Sequence, residues 1–131
     1  MSVPCPTVFV VDDDFSVRRA LSRLLRAEGF HVQTFESGPE FLDVVRPDAR
    51  GCVVLDVRMS GLSGFEILDC LAARGAPLPV ILVTGDGDLR TAERARKAGC
   101  VTLLEKPFED VALLDAIRKA LRRQNGRAFP S

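Results

Sequence analysis

The sequence predicts an α/β fold: one domain built on a parallel sheet, with helices on both faces. Two observations carry this. Short apolar runs rich in β-branched residues alternate five times with segments of helical period. Most of these runs are apolar throughout, as strands covered on both sides require, whereas a strand with one wet face would alternate. With 131 residues, 47% of them hydrophobic, the chain is long enough to bury a real core.

The strand candidates are "TVFVV" (7–11), "HVQTF" (31–35), "CVVLD" (52–56), "VILVT" (80–84) and "VTLLE" (101–105). The second is polar and alternating, so it is expected at a sheet edge. The other four are expected to be covered on both faces.

Between them lie five helical patterns. The first places Val17, Ala20, Leu21, Leu24 and Leu25 on one face and ends at Gly29. Ser37 and Glu40 fit a capping box opening the second. The third buries Phe65, Leu68 and Leu71. The fourth, "DLRTAERARKAG", offers only Ala92, Ala95 and Ala98 as its apolar stripe, so its packing should be the weakest. The fifth lines up Val111, Leu114, Ile117 and Leu121. The domain is expected over 1–123. The polar stretch 124–131 reads as a frayed tail or the start of a linker.

Composition narrows the function. Eighteen basic and eighteen acidic residues cancel. A bulk positive field is therefore missing, and direct nucleic-acid binding by this chain is not expected. No apolar run approaches membrane-spanning length, and "MSVPCPT" lacks a signal-peptide layout, so a cytoplasmic protein with no membrane contact is expected. Cys5, Cys52, Cys70 and Cys100 lack CxxC spacing and are expected as reduced, packed thiols. His31, the single histidine, has no partner motif and receives no catalytic role.

In an open α/β sheet, ligands bind beyond the carboxyl ends of the strands. The first strand ends in Asp12, Asp13 and Asp14, the third in Asp56 and the fourth in Thr84. The fifth is followed at once by Lys106-Pro107. Adjacent carboxylates repel one another, and the repulsion raises the cost of ionising all of them. A helix N-cap accounts for one of the three, Asp14 or its neighbour. Thr84, Lys106 and Asp56 each have an ordinary structural reading taken singly, but together they form a set. Clustered acids suit a hard divalent cation such as magnesium. An aspartate can attack a phosphoryl group, and a lysine and a hydroxyl can hold the transferred charge.

With those residues in place, the sequence resembles the receiver domain of two-component response regulators, the FixJ-like group especially. The motifs are "VVDDD" (10–14), "VVLDVRMSGLSGFEIL" (53–68), "ILVTGDGD" (81–88) and "AGCVTLLEKPFED" (98–110), in order and at suitable spacing. The resemblance implies a flavodoxin-like (βα)5 fold with strand order 2-1-3-4-5. It implies Asp56 as phospho-acceptor, with Asp12, Asp13, Asp56 and the backbone carbonyl of Arg58 holding Mg2+. Thr84 and Lys106 are implied as the groups that sense the phosphate, and a cis Lys106-Pro107 bond is implied as well. The implied partner is a sensor histidine kinase or phosphotransfer protein, with a homodimer on phosphorylation. The implied role is a switch rather than an enzyme, one that relays phosphorylation through the face of helix 4, strand 5 and helix 5.

Three departures accompany the match. Ser60 and Gly61 stand where the family often has a proline. Leu103 stands where it often has an aromatic switch residue paired with Thr84. Third, the tail 124–131 carries no expected output domain, and one alternative is the N-terminal receiver part of a longer DNA-binding regulator. Arg58 and Asp86 each lie two residues past a site residue. As a pair they would screen the acyl phosphate from water; as solvated loop charges they would do little. A further alternative, a haloacid dehalogenase-type phosphatase, needs a second acid two residues after the first. Arg58 occupies that place.

Overall fold

The computed structural model describes residues 6–59, 61–75, 78–85 and 89–128, with side chains as far as Arg123. The strands are β1 (Thr7–Val11), β2 (His31–Phe35), β3 (Gly51–Asp56), β4 (Val80–Thr84) and β5 (Thr102–Glu105). The helices are α1 (Phe15–Ala27), α2 (Gly38–Val44), α3 (Gly64–Ala73), α4 (Leu89–Ala98) and α5 (Asp110–Ala128). The five strands are all parallel, in the order β2-β1-β3-β4-β5.

The helices divide between two cores. Side chains of α2, α3 and α4 pack on one face of the sheet around Phe9, Phe35, Phe41, Ile67 and Leu82. Those of α1 and α5 pack on the other around Val8, Leu25, Ile81, Leu113 and Ile117. The central strands β1, β3 and β4 are buried almost throughout, as expected. β2 lies at the sheet edge as expected, but it does not alternate: it buries only Val32 and Phe35, one in each core. β5 departs from expectation: as the other edge strand it is half-buried with an exposed end, because nothing pairs beyond it.

Local chemistry sets where the helices start. Asp14 caps α1, its carboxylate accepting from Ser16 N at 2.8 Å and Val17 N at 3.3 Å. The Ser37 hydroxyl accepts from Glu40 N at 3.2 Å and opens α2. The reciprocal capping box opens α3, where Ser63 and Glu66 exchange bonds at 3.2 Å each way.

Several expected faces shift. In α1 only Leu25 is fully buried and Ala20 is exposed. In α4 only Ala95 is buried, Ala92 is exposed and Ala98 is half-buried. Burying one methyl contributes about 0.8 kcal/mol, so apolar packing holds this helix weakly. In α5 the buried face is Leu113, Leu114, Ala116, Ile117 and Ala120. Val111 is 63% exposed, contrary to expectation. It lies about 160° around the helix from Leu113 at 100° per residue. α5 also runs on past Arg123 to Ala128, so its backbone is helical where a frayed tail was expected to begin.

Cys52 is buried, while Cys70 and Cys100 are half-buried; all three are free thiols, and Cys5 lies outside the described residues. Burial pushes the Cys52 thiol up to about 12 and raises that of Cys100, so both behave as small apolar groups. Among the described residues no helix is long and apolar enough to cross a membrane.

The corrected α5 face yields a prediction. Ile117→Ala should cost about 2–5 kcal/mol of stability in urea denaturation. Val111→Ala should change it by less than about 0.5 kcal/mol. Comparable losses would mean that α5 is turned the other way.

Candidate functional site

Parallel pairing brings the carboxyl ends of β1, β3, β4 and β5 to one edge of the sheet. Asp12 follows β1, Asp56 ends β3, Thr84 ends β4 and Lys106 follows β5. Asp56 pairs with Val83 and Thr84 with Glu105 in register, so the acceptor candidate and the lysine stand on either side of β4.

Lys106 reaches across that gap. Its Nζ donates to Asp56 Oδ2 at 3.0 Å and lies 3.9 Å from Asp12 Oδ2. The other Asp56 oxygen, Oδ1, accepts from the backbone N of Arg58 at 3.0 Å. Asp12 Oδ1 accepts from Asp14 N at 2.9 Å. Each of the two carboxylates is thus pinned by a main-chain N–H two residues on, in an Asx-type turn. The Asp12 backbone is held in turn by Arg18, whose guanidinium donates to Asp12 O at 2.7 Å. Sequence reasoning missed Arg18. The signal was a basic residue one turn into the helix that follows the acidic run.

Asp12 and Asp56 are 4% and 8% exposed, and Thr84 is 1% exposed. Burial pushes the Asp12 carboxyl up to about 6, and the Asp56 charge adds to the rise; the Asp14 N–H and Lys106 oppose it. Burial pulls the Lys106 ammonium down, but the hydrogen bond and charge of Asp56, with Asp12 and Asp14, outweigh it and leave Lys106 raised. The ammonium therefore stays charged and acts as the fixed cation of the cluster.

The structure brings together Asp12, Asp56, Thr84 and Lys106, with the Arg58 backbone at the rim. Asp13 is exposed between the buried Asp12 and the capping Asp14. Among the described residues no group of three acidic, histidine or cysteine side chains is gathered as a metal cage. The Lys106-Pro107 bond is cis, as the resemblance implies. Leu103 is half-buried against the core on the α2–α4 side. Gly61 takes φ +84°, the left-handed region, while Ser60 and Asp86 lie outside the described residues.

Comparison with known proteins agrees with this geometry. The family model described as the response regulator receiver domain matches residues 8–118. The Transcriptional regulatory protein FixJ of Azorhizobium caulinodans is 48% identical over 116 residues, covering 88% of this chain and 55% of that protein. Nodulation protein W of Bradyrhizobium diazoefficiens is 46% identical over 120 residues, covering 92% of this chain and 53% of that protein. The chain therefore spans about half the length of the curated relatives it matches. Among solved structures, the response regulator StyR aligns with TM-score 0.90 at 48% identity, covering 95% of this chain and 63% of that one. The FixJ-N crystal structure aligns with TM-score 0.84 at 40% identity, covering 92% and 96%. The strand order, the carboxylates at the strand ends and these matches agree: the chain belongs to the response regulator receiver domain family of two-component signalling systems.

Proposed function

We propose that this domain is a signalling switch that takes a phosphoryl group onto Asp56 from a phosphohistidine, on a sensor kinase or phosphotransfer protein. The observation that carries this reading is the Asp56 carboxylate, buried, pinned through one oxygen and paired through the other with Lys106 at 3.0 Å. In the transfer, an Asp56 oxygen forms the new P–O bond as the P–N bond breaks, and the imidazole nitrogen keeps the electron pair and takes a proton. Lys106 holds charge that develops on the phosphoryl oxygens. The buried Thr84 ends the neighbouring strand, within the sheet position that can feel the new group. Arg58, exposed just past the acceptor, screens the acyl phosphate from water, with Asp86 proposed as its partner. Beyond accepting and losing this group, the domain turns over no external substrate.

A divalent cation fits the donor set in character. Asp12 and Asp56 offer two carboxylates in one buried space, where burial first and then the Asp56 charge raise Asp12. Asp13, next in the chain to Asp12, and the Arg58 carbonyl would complete the protein ligands, since magnesium accepts few and keeps its waters. When bound, it supplies positive charge against the phosphoryl oxygens.

The added dianion redistributes the cluster's contacts, because Lys106 and Thr84 are drawn to it. The response is proposed to be a shift of α4, β5 and α5, whose weakest member is α4. It follows only if that arrangement binds the phosphorylated site better than the resting one does. Pairing with a second copy through this face is the proposed consequence. A second reading is favoured by the half-length match to transcriptional regulators. In that reading the domain is the receiver part of a longer DNA-binding protein, which the gene sequence beyond the Ser131 codon would test.

Incubation with acetyl phosphate and magnesium, read by intact mass, should add one phosphoryl group to the parent chain. Asp56→Asn should add none, Lys106→Met should be labelled at least about tenfold more slowly, and Arg58→Ala should lose its label faster. Labelling of Asp56→Asn equal to the parent would refute the acceptor assignment, and an unchanged lifetime in Arg58→Ala would remove the screening role.

A pH prediction follows from Asp12. Its folded carboxyl sits at about 6 against 3.8 unfolded, so the folded state holds the proton more tightly. This contribution to stability is present at low pH and is lost as pH rises through about 6. A cation competes with that proton. At about ten times its Kd, magnesium should raise Tm by about 5 °C at pH 7.5 and by clearly less at pH 5. Equal shifts at both values would contradict the assignment of Asp12 as a ligand.

A further inference from the structure

α4 has little apolar surface with which to stay in place. Only Ala95 is buried, and Leu89 at its start is 75% exposed. A directional contact joins it to α3. The Arg94 guanidinium carbon lies 4.2 Å from the centroid of the Phe65 ring, a cation–π geometry well inside the usual reach. Phe65 itself is 5% exposed and belongs to the core that includes Ala95.

The ring's position depends on the acceptor. Phe65 follows Gly64, whose N donates to Val57 O at 3.0 Å. A Cβ on Gly64 would sit 2.7 Å from Asp56 O, so the first turn of α3 rests on the acceptor's own main chain and only glycine fits there. The Ser63–Glu66 capping box holds that turn rigid. A continuous set of contacts therefore runs from the Asp56 backbone through Gly64 and Phe65 to Arg94.

We infer that the stack of Arg94 on Phe65 is a latch that holds α4 in its resting position and couples it to the acceptor loop. Arg94 is thus a positioning residue of the switch: it touches neither Asp56 nor Lys106 and acts through the Phe65 ring. The coupling half of this inference rests on the reading that phosphorylation at Asp56 shifts α4. The latch half does not, since it concerns the unmodified chain.

The test is amide hydrogen exchange on the full chain, comparing the parent, Arg94→Gln, Phe65→Leu and the double variant. Glutamine keeps helix propensity and length but removes the cation, and leucine keeps apolar bulk but removes the π face. In the unmodified proteins, α4 amides of Arg94→Gln should exchange about two- to fivefold faster than in the parent, with α1 unchanged. Any general loosening in Phe65→Leu is read from its α1 amides. The double variant should add nothing for α4 beyond Phe65→Leu alone, because each change removes the same contact. Unchanged α4 exchange in Arg94→Gln, an increase spread equally over α1 and α4, or additive effects would overturn the latch. After acetyl phosphate and magnesium, α4 exchange should rise in the parent and rise little further in Arg94→Gln. Equal rises in both would overturn the coupling. Absence of phosphoryl uptake by mass on the same samples would defeat the earlier acceptor reading and the coupling that rests on it, leaving the latch comparison intact.

Discussion

The ion pair between Lys106 and Asp56, at 3.0 Å beside a buried Asp12, is the constraint around which the rest of the site is arranged. Asp12 is nearly out of water beside Asp56, and burial, with the Asp56 charge, opposes its ionisation. Buried ion pairs rarely repay their desolvation in stability. A cluster of this kind is therefore poorly explained as a device for holding the fold. On the proposed reading it is preorganised charge, with a carboxylate and a fixed cation aligned before a phosphoryl group arrives. The lysine side chain is 36% exposed, so the cluster is open to solvent on one side.

The run of three aspartates makes sense in these terms because the three have separate environments. Asp12 faces the cluster and is buried. Asp14 turns outward and caps α1 through two main-chain N–H groups. Asp13 is exposed between them. Repulsion is limited because only Asp12 shares a buried space with Asp56, and because Lys106 stands close to both. The sheet order makes this geometry possible: β1 and β3 are neighbours, and the lysine arrives from the far side of β4.

The strands were legible because β-branched apolar runs have few other readings at that length. The strand-end rule then collected Asp12, Asp56, Thr84 and Lys106 without coordinates. The places that escaped have a common physical reason. That β5 is only half-covered follows from its being last in the sheet, a property of strand order rather than of "VTLLE". The i+3 stripe chosen for α5 drifts around the helix, so it began with Val111 on the wrong side. The capping box at Ser63 and Glu66 follows the S-x-x-E pattern and was readable in the sequence. Arg18 on Asp12 and Arg94 on Phe65 join residues whose partnership depends on how helices sit against the sheet and against each other, and helical periodicity within one segment does not report that.

Asp12 and Asp56 share a confined space in which Lys106 supplies the compensating charge. The direct measurement is a carboxyl 13C NMR titration of Asp12 in the metal-free chain, repeated for Lys106→Met. The midpoint is expected near 6 in the parent and higher once the lysine's charge is gone. An ordinary aspartate midpoint near 4, unmoved by the substitution, would contradict it.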